Sequence, residues 1–461
     1  MSRRLSAVAV AALVCACGAS APRSRASREP EVLAILAPPA IEPSARTVAI
    51  SGGTLAMTRD GRTLIASDPD RDLVWIVDLD SMVPRAPIAL RPGDEPGRIA
   101  EDAAGRVHVA LRRGGAIATI DPSSGAVVMR RPACSAPRGI AYDEQDDALH
   151  VACTDGSLVT LGALDRVPRR NARLAPDLRD VVVHGDHLYV TRFREATVLT
   201  LDRDARVVRT TRASSLDLDE LERIEPEARP RRVFGASVGW RLTSHRNELW
   251  MIHQRAANFP IDLQMNESPR PAPPLPYGGV ASPALRRCPP GIVHSALSRF
   301  DESGDAPIGT ILPGAVLPVD VAISPHGDRI AMAFAEGSSA GAVFTSARAA
   351  LATDCAEERG RLSILASGLH SNAVAVTWID DRRIAVQYRQ RPAIVVYDPL
   401  TGGRPREALL GAPLSRDGGH ALFHRAAPAG LACASCHPEG EDDGHVWQLG
   451  CAASGARCDG A

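Results

Sequence analysis

The chain has 461 residues, of which 45 % are hydrophobic, 23 % charged and only 4 % aromatic. That is an ordinary globular make-up with a core of Val, Ile, Leu and Ala, and at roughly 150 residues per domain it leaves room for two or three domains, or for one large all-β domain with additions. The 53 basic residues, all of them Arg, face 54 acidic ones for a net charge of -1, which argues against a nucleic-acid-binding protein.

The N-terminus reads as an export signal. Arg3 and Arg4 precede an apolar run from Leu5 to Val14, which is too short to span a bilayer. No later stretch is long and apolar enough to do so. The run ends Val14-Cys15-Ala16-Cys17-Gly18. This resembles a bacterial lipobox, and the resemblance implies cleavage before Cys17 and lipid attachment to it. The protein is then expected at the periplasmic face of a bacterial membrane, held by a lipid anchor. An ordinary signal cleaved near Ala19 or Ala21 is the alternative. Residues 18–47 follow as a tether, and their first part is rich in Ser, Arg, Ala and Pro.

Export places the ten cysteines in an oxidising compartment. Cys15 leaves with the signal, Cys17 is the lipid site, and Cys433 and Cys436 belong to a motif discussed below. The remaining six are disulfide candidates. Cys134 and Cys153 flank one predicted hairpin, which brings them together. Cys288 with Cys355 and Cys451 with Cys458 follow by elimination.

A β-rich unit recurs about every 40 residues over 48–410, the period of a propeller. Each copy reads strand, tight turn, strand, break, strand, often closing on Asp. The first copy has Leu55–Met57, a turn at Asp60-Gly61, Thr63–Ser67 and Leu73–Val77 before Asp78. Similar sets predict Arg106–Leu111 and Ala116–Ile120, then Gly139–Tyr142, Ala148–Cys153 and Ser157–Leu161, then Val181–Val183, His187–Thr191 and Thr197–Leu201. The fifth copy is interrupted by a Pro-rich insertion between Leu249–His253 and Ser295–Phe300. The sixth has Val319–Ser324, Arg329–Phe334 and, as its third strand, Arg361–Leu365. The seventh has Ala373–Trp378, Arg383–Tyr388 and Ala393–Tyr397. Seven copies predict an all-β chain forming a seven-bladed β-propeller, with six or eight blades as the alternative. Such units bury their faces only against neighbours. The phrases Asp60-Gly-Arg-Thr-Leu-Ile-Ala66 and Val395-Val-Tyr-Asp-Pro-Leu-Thr-Gly402 resemble the YVTN or NHL-type propeller repeats. That resemblance implies a scaffold and names no activity.

Residues 411–461 read as a short α-helical, cytochrome c-like segment. It contains Cys433-Ala-Ser-Cys436-His437, the C-x-x-C-H pattern of c-type haem attachment. Two cysteines one helical turn apart each form a thioether to a haem vinyl group, and the adjacent His437 reaches the iron as axial ligand. The stretch resembles the first haem motif of the di-haem cytochrome c peroxidase family, through Gly419, Leu422, Phe423, Cys433, Ser435, Cys436, His437 and Pro438. The resemblance implies haem c, iron redox chemistry, a redox partner protein and at most a peroxidase-like activity. The likeness stops downstream. The last residues have no amphipathic period, no Met follows Met332, and the segment reads as truncated or frame-shifted. A sixth iron ligand is then expected from His445, or else from His424, His420, the propeller or a partner. Two other readings of the motif stay open. One is zinc held by Cys433, Cys436 and His437 with His445, Cys451 or Cys458. The other is a disulfide. A third reading of the whole chain is a non-enzymatic binding propeller with a relic haem tail.

His253 at a strand end and the Arg229, Arg231 and Arg232 cluster read as structural, as do the recurrent strand-end aspartates.

Overall fold

In the first repeat, neighbouring residues of one strand turn to opposite sides, and both sides are buried. Leu64 and Ala66 pack with Trp75 and Val77 into one apolar cluster. Ile65 packs with Val74 and Ile76 into another. A strand with period-2 side chains and two dry faces must sit in a sheet sandwiched between two other sheets. Repeating that arrangement around a circle gives the fold.

The structure is a computed structural model that describes residues 48–221, 231–262, 291–300, 308–312, 315–337, 343–351, 363–365, 372–414, 417–427 and 431–450. Seven antiparallel sheets form the ring. Six have four strands in sequence order, and the fifth has five. The strands begin at Leu55 and the last blade ends at Leu409.

The first strands of the blades lie next to one another and line the axis. Those of blades 3 and 4 approach so closely that a Cβ on Gly139 would stand 2.7 Å from the Asp180 Cα, so only glycine fits there. Apolar clusters fill each seam. Ala110 and Ile117 of blade 2 meet Leu149 and Val159 of blade 3. Ala152 and Leu158 of blade 3 meet Val190 and Leu199 of blade 4. The largest cluster joins blades 5, 6 and 7 through Trp250, Phe334, Phe344 and Val386.

Among the described residues each blade draws on its own stretch of chain, and no strand from one end of the ring completes a blade at the other. Closure is by packing and a polar clasp. Leu55 and Trp75 of blade 1 pack on Ala385 and Ile394 of blade 7. Thr54 donates to Gln387 Oε1 at 2.7 Å, and Gln387 donates to the Ser67 carbonyl at 2.8 Å. Arg389 holds Asp70 from the same seam, Nε to Oδ2 at 2.7 Å.

Two blades carry a buried histidine wired to an aspartate and a threonine. His108 bridges Asp102 and Thr119 at 3.0 Å each. His150 contacts Thr160 at 3.0 Å and Asp143 at 3.7 Å. The strand-end aspartates make turns. Asp78 accepts from the Ser81 N–H, Asp121 from Ser123, Asp202 from Asp204 and Asp398 from Leu400. Asp301 lies outside the described residues.

Two strand assignments need correction. Arg361–Leu365 is not the third strand of the sixth blade. Val343–Ala347 takes that place, and Ser363–Leu365 pairs on its outside as the fourth. Val343 and Phe344 are buried where an inner strand requires it, but the run is short. The fifth blade also gains an inner strand, Val233–His245, that the sequence pattern hides. Its register shifts between Ala236 and Gly239 and again between Gly239 and Arg241, and each shift breaks the alternation.

The signal, Cys17, the tether, and Cys288, Cys355, Cys451 and Cys458 lie outside the described residues. Cys134 and Cys153 are bonded to each other. No helix among the described residues is long and apolar enough to cross a membrane.

Candidate functional site

The described part of 411–461 belongs to the same compact unit as the ring. Its described residues include a seven-residue helix, Gly418–His424, capped by Asp417, which accepts from the His420 N–H at 3.0 Å. A single turn, Cys433–Cys436, follows.

That turn is closed by its own sequence. The Ala432 N–H donates to Ser435 Oγ at 3.1 Å, and the His437 N–H to the Cys433 carbonyl at 3.0 Å. Its small residues face the ring, with Ala432, Ala434 and Ser435 buried. The motif residues therefore point the other way. Cys433 is exposed, Cys436 half-buried, and neither is in a disulfide. Burial, with Asp443 and Cys433 nearby, pushes the Cys436 thiol up to about 12.

His437 is exposed, and its Nδ1 lies 3.3 Å from the Glu441 carbonyl. With Nδ1–H donated there, Nε2 keeps its lone pair, the orientation found in metal-binding histidines. The other ligand candidates are engaged elsewhere. His445 turns Nε2 to the Ala257 carbonyl at 2.9 Å and stacks edge-on against Trp447. His424 is buried, with Nδ1 at 2.9 Å from the His420 carbonyl. His420 meets Arg389. Burial, then Arg389 and His424, pull the His420 imidazole down to about 3. His253 is fully buried between the Gln254 carbonyl at 2.8 Å and Ser298 Oγ at 2.7 Å, a structural histidine. Arg231 and Arg232 pair with Asp217 and Asp219, while Arg229 lies outside the described residues. No cluster of three or more His, Cys, Asp or Glu side chains suited to a metal ion occurs among the described residues.

What fixes the motif in place is a residue the sequence reading passed over. Glu439, two positions after His437, has φ 57° in a left-handed turn. This backbone lets its carboxylate enter the ring between arginines of three blades. Arg179 Nη1 is at 2.7 Å, Arg138 Nη2 at 3.1 Å and Arg112 Nη1 at 4.0 Å. Burial alone would raise the Glu439 carboxyl, but Arg138, Arg179 and Arg112 overcome it and hold it well below the usual carboxylate range. Arg179 is itself oriented by the Ser51 carbonyl at 2.9 Å and stacks 4.3 Å from the Phe193 ring centroid. Around this anchor, Gln254 donates to the Ser435 carbonyl at 2.8 Å, and Arg194 reaches Glu441 at 2.7 Å. Leu449–Gly450 adds a short parallel pairing to Ile261–Asp262. No local sequence signal marks the three arginines, because each comes from a different repeat.

No family model and no curated protein matches the chain. Among solved structures it is similar to hydrazine synthase of Kuenenia stuttgartiensis, with a TM-score of 0.57 and 14 % identity over 79 % of this chain and 99 % of that one. It is also similar to the Cps50 (Swd1) β-propeller domain of Myceliophteria thermophila, with a TM-score of 0.48 and 12 % identity over 77 % and 98 %. At such identity the first likeness speaks to fold alone, and the chain is a seven-bladed β-propeller.

Proposed function

We propose that the protein is an exported haem c protein that transfers electrons, with the propeller as the platform that seats the haem-bearing turn and docks a redox partner protein. The observation that carries this is the Cys433–His437 turn, with two unbonded cysteines and an outward histidine anchored through Nδ1. The donor set fits the group. Cys433 and Cys436 would hold haem through thioethers, and His437 would be the axial ligand. Haem bound there supplies one-electron exchange at its iron. The chain's own part is positional. Ala434 and Ser435 fix the turn against the ring, Glu441 orients the imidazole, and Glu439 locks the loop. In this reading Cys17 carries the lipid that keeps the protein at the periplasmic face of the membrane.

The test is expression of the full chain with the c-type maturation system, followed by haem staining of denaturing gels and a pyridine haemochrome spectrum. A haem band that survives denaturation is expected. A colourless, folded protein would leave the binding propeller with a relic tail as the function, and would remove the peroxidase-like alternative with it.

A further inference from the structure

Beneath Glu439 the axis is filled by a chain of paired charges. Arg98 meets Asp180 at 2.5 Å, Asp180 meets Arg241 at 3.0 Å, and Arg241 meets Asp320 at 3.2 Å. Two cations face two anions, so this layer is balanced. The layer above is crowded with cations: Arg112, Arg138 and Arg179 gather around Glu439, and Glu95 lies 3.9 Å from Arg112.

The unmatched donors can be located. Arg179 spends both terminal nitrogens on Glu439 and Ser51. The Arg112 side chain is 4 % exposed. Its Nη2 has one long bond, to the Ala49 carbonyl at 3.4 Å. Among the described residues its Nε and Nη1 are buried with no hydrogen-bond partner, and Arg138 Nε is in the same state. A buried guanidinium with unmatched N–H groups is expensive, and planar N–H forks of this type match the oxygens of phosphate, sulfate or carboxylate.

We propose that this cradle is a binding site for a small oxyanion, with Arg112 and Arg138 as its donors and Glu439 as the neighbouring charge that limits its affinity. Its donors come from two adjacent blades and need no haem, so protein made without the maturation system serves for the test. The probe is inorganic phosphate, compared with chloride at equal ionic strength by thermal melting of the full chain. Millimolar phosphate is expected to raise the melting temperature on the order of 3 °C. Arg112→Gln should lose that shift. Glu439→Gln should tighten apparent phosphate binding about tenfold, since one tenfold step is what a neighbouring like charge of modest strength costs. Identical melting in phosphate and chloride for the parent protein overturns the proposal, as does a full phosphate shift in Arg112→Gln. If Arg112→Gln does not fold, Arg138→Gln gives the same reading with the same two outcomes.

Discussion

Leu64, Val109, Leu149 and Ile330 of the ring are wholly buried, and each is surrounded by apolar neighbours from an adjacent blade. The C-terminal segment meets the ring differently, through small residues such as Ala432 and Ala434 and through directed polar contacts at Glu439, Ser435 and Glu441. Apolar packing is non-directional and sums over many residues, so it sets stability. Charged hydrogen bonds are fewer and geometric, so they set where the motif stands. The ring is built to persist, and the segment is built to be placed.

The sharpest way to separate the two is to remove the thiols. Changing Cys433 and Cys436 together to Ala should abolish covalent haem completely, read by haem staining, while the melting temperature of protein without haem stays put. A large fall in that melting temperature would mean the segment supports the ring after all. Next in size is the ring core. Phe334 is fully buried and meets Phe344 edge-on at 4.9 Å, so Phe334→Ala should cost about 3–5 kcal/mol by denaturant unfolding. The Cys134–Cys153 bridge closes a loop with a separation of 19 residues, and its removal should cost about 3 kcal/mol.

The anchor should respond more locally. Glu439→Gln breaks a buried pair and leaves its arginines unmatched, an effect on the order of 3 kcal/mol at most. It should expose the segment to limited proteolysis while the ring stays folded. The Glu439 carboxyl is depressed in the fold, so its contribution is present above the ordinary Glu pKa and lost only as pH falls below about 4. Proteolysis of the parent protein should therefore rise in that acid window.

The smallest effect belongs to His108. Burial, opposed by Asp102, pulls it down to about 4. A depressed histidine stabilises the fold above its unfolded pKa, and that stability is lost as pH falls from about 6.5 towards the folded value. His108→Gln should flatten the slope of stability against pH in this interval by about one proton. An unchanged slope would mean that His108 already protonates in the native ring.

Inner strands were legible in the sequence because a strand with two buried faces keeps a short, near-continuous apolar run. Thr63–Asp68 and Ala393–Tyr397 are such cases. The outer strands were not. Arg170–Arg173 and Val207–Arg212 are largely exposed, so nothing selects an apolar pattern there. The bulged Val233–His245 strand escaped for the same reason in reverse, since register shifts scramble a pattern that burial imposes.

The sequence alone determined the repeat and its period, the pairing partner of Cys134, and the Cys433–His437 motif, because each depends on residues close in the chain or on a simple periodicity. Only the tertiary structure decided what holds that motif. Glu439 lies beside it in sequence, but Arg112, Arg138 and Arg179 belong to three blades, and a Coulombic contact carries no signature in the residues that separate its partners. The packing of three consecutive blades around the axis brings those arginines to one carboxylate.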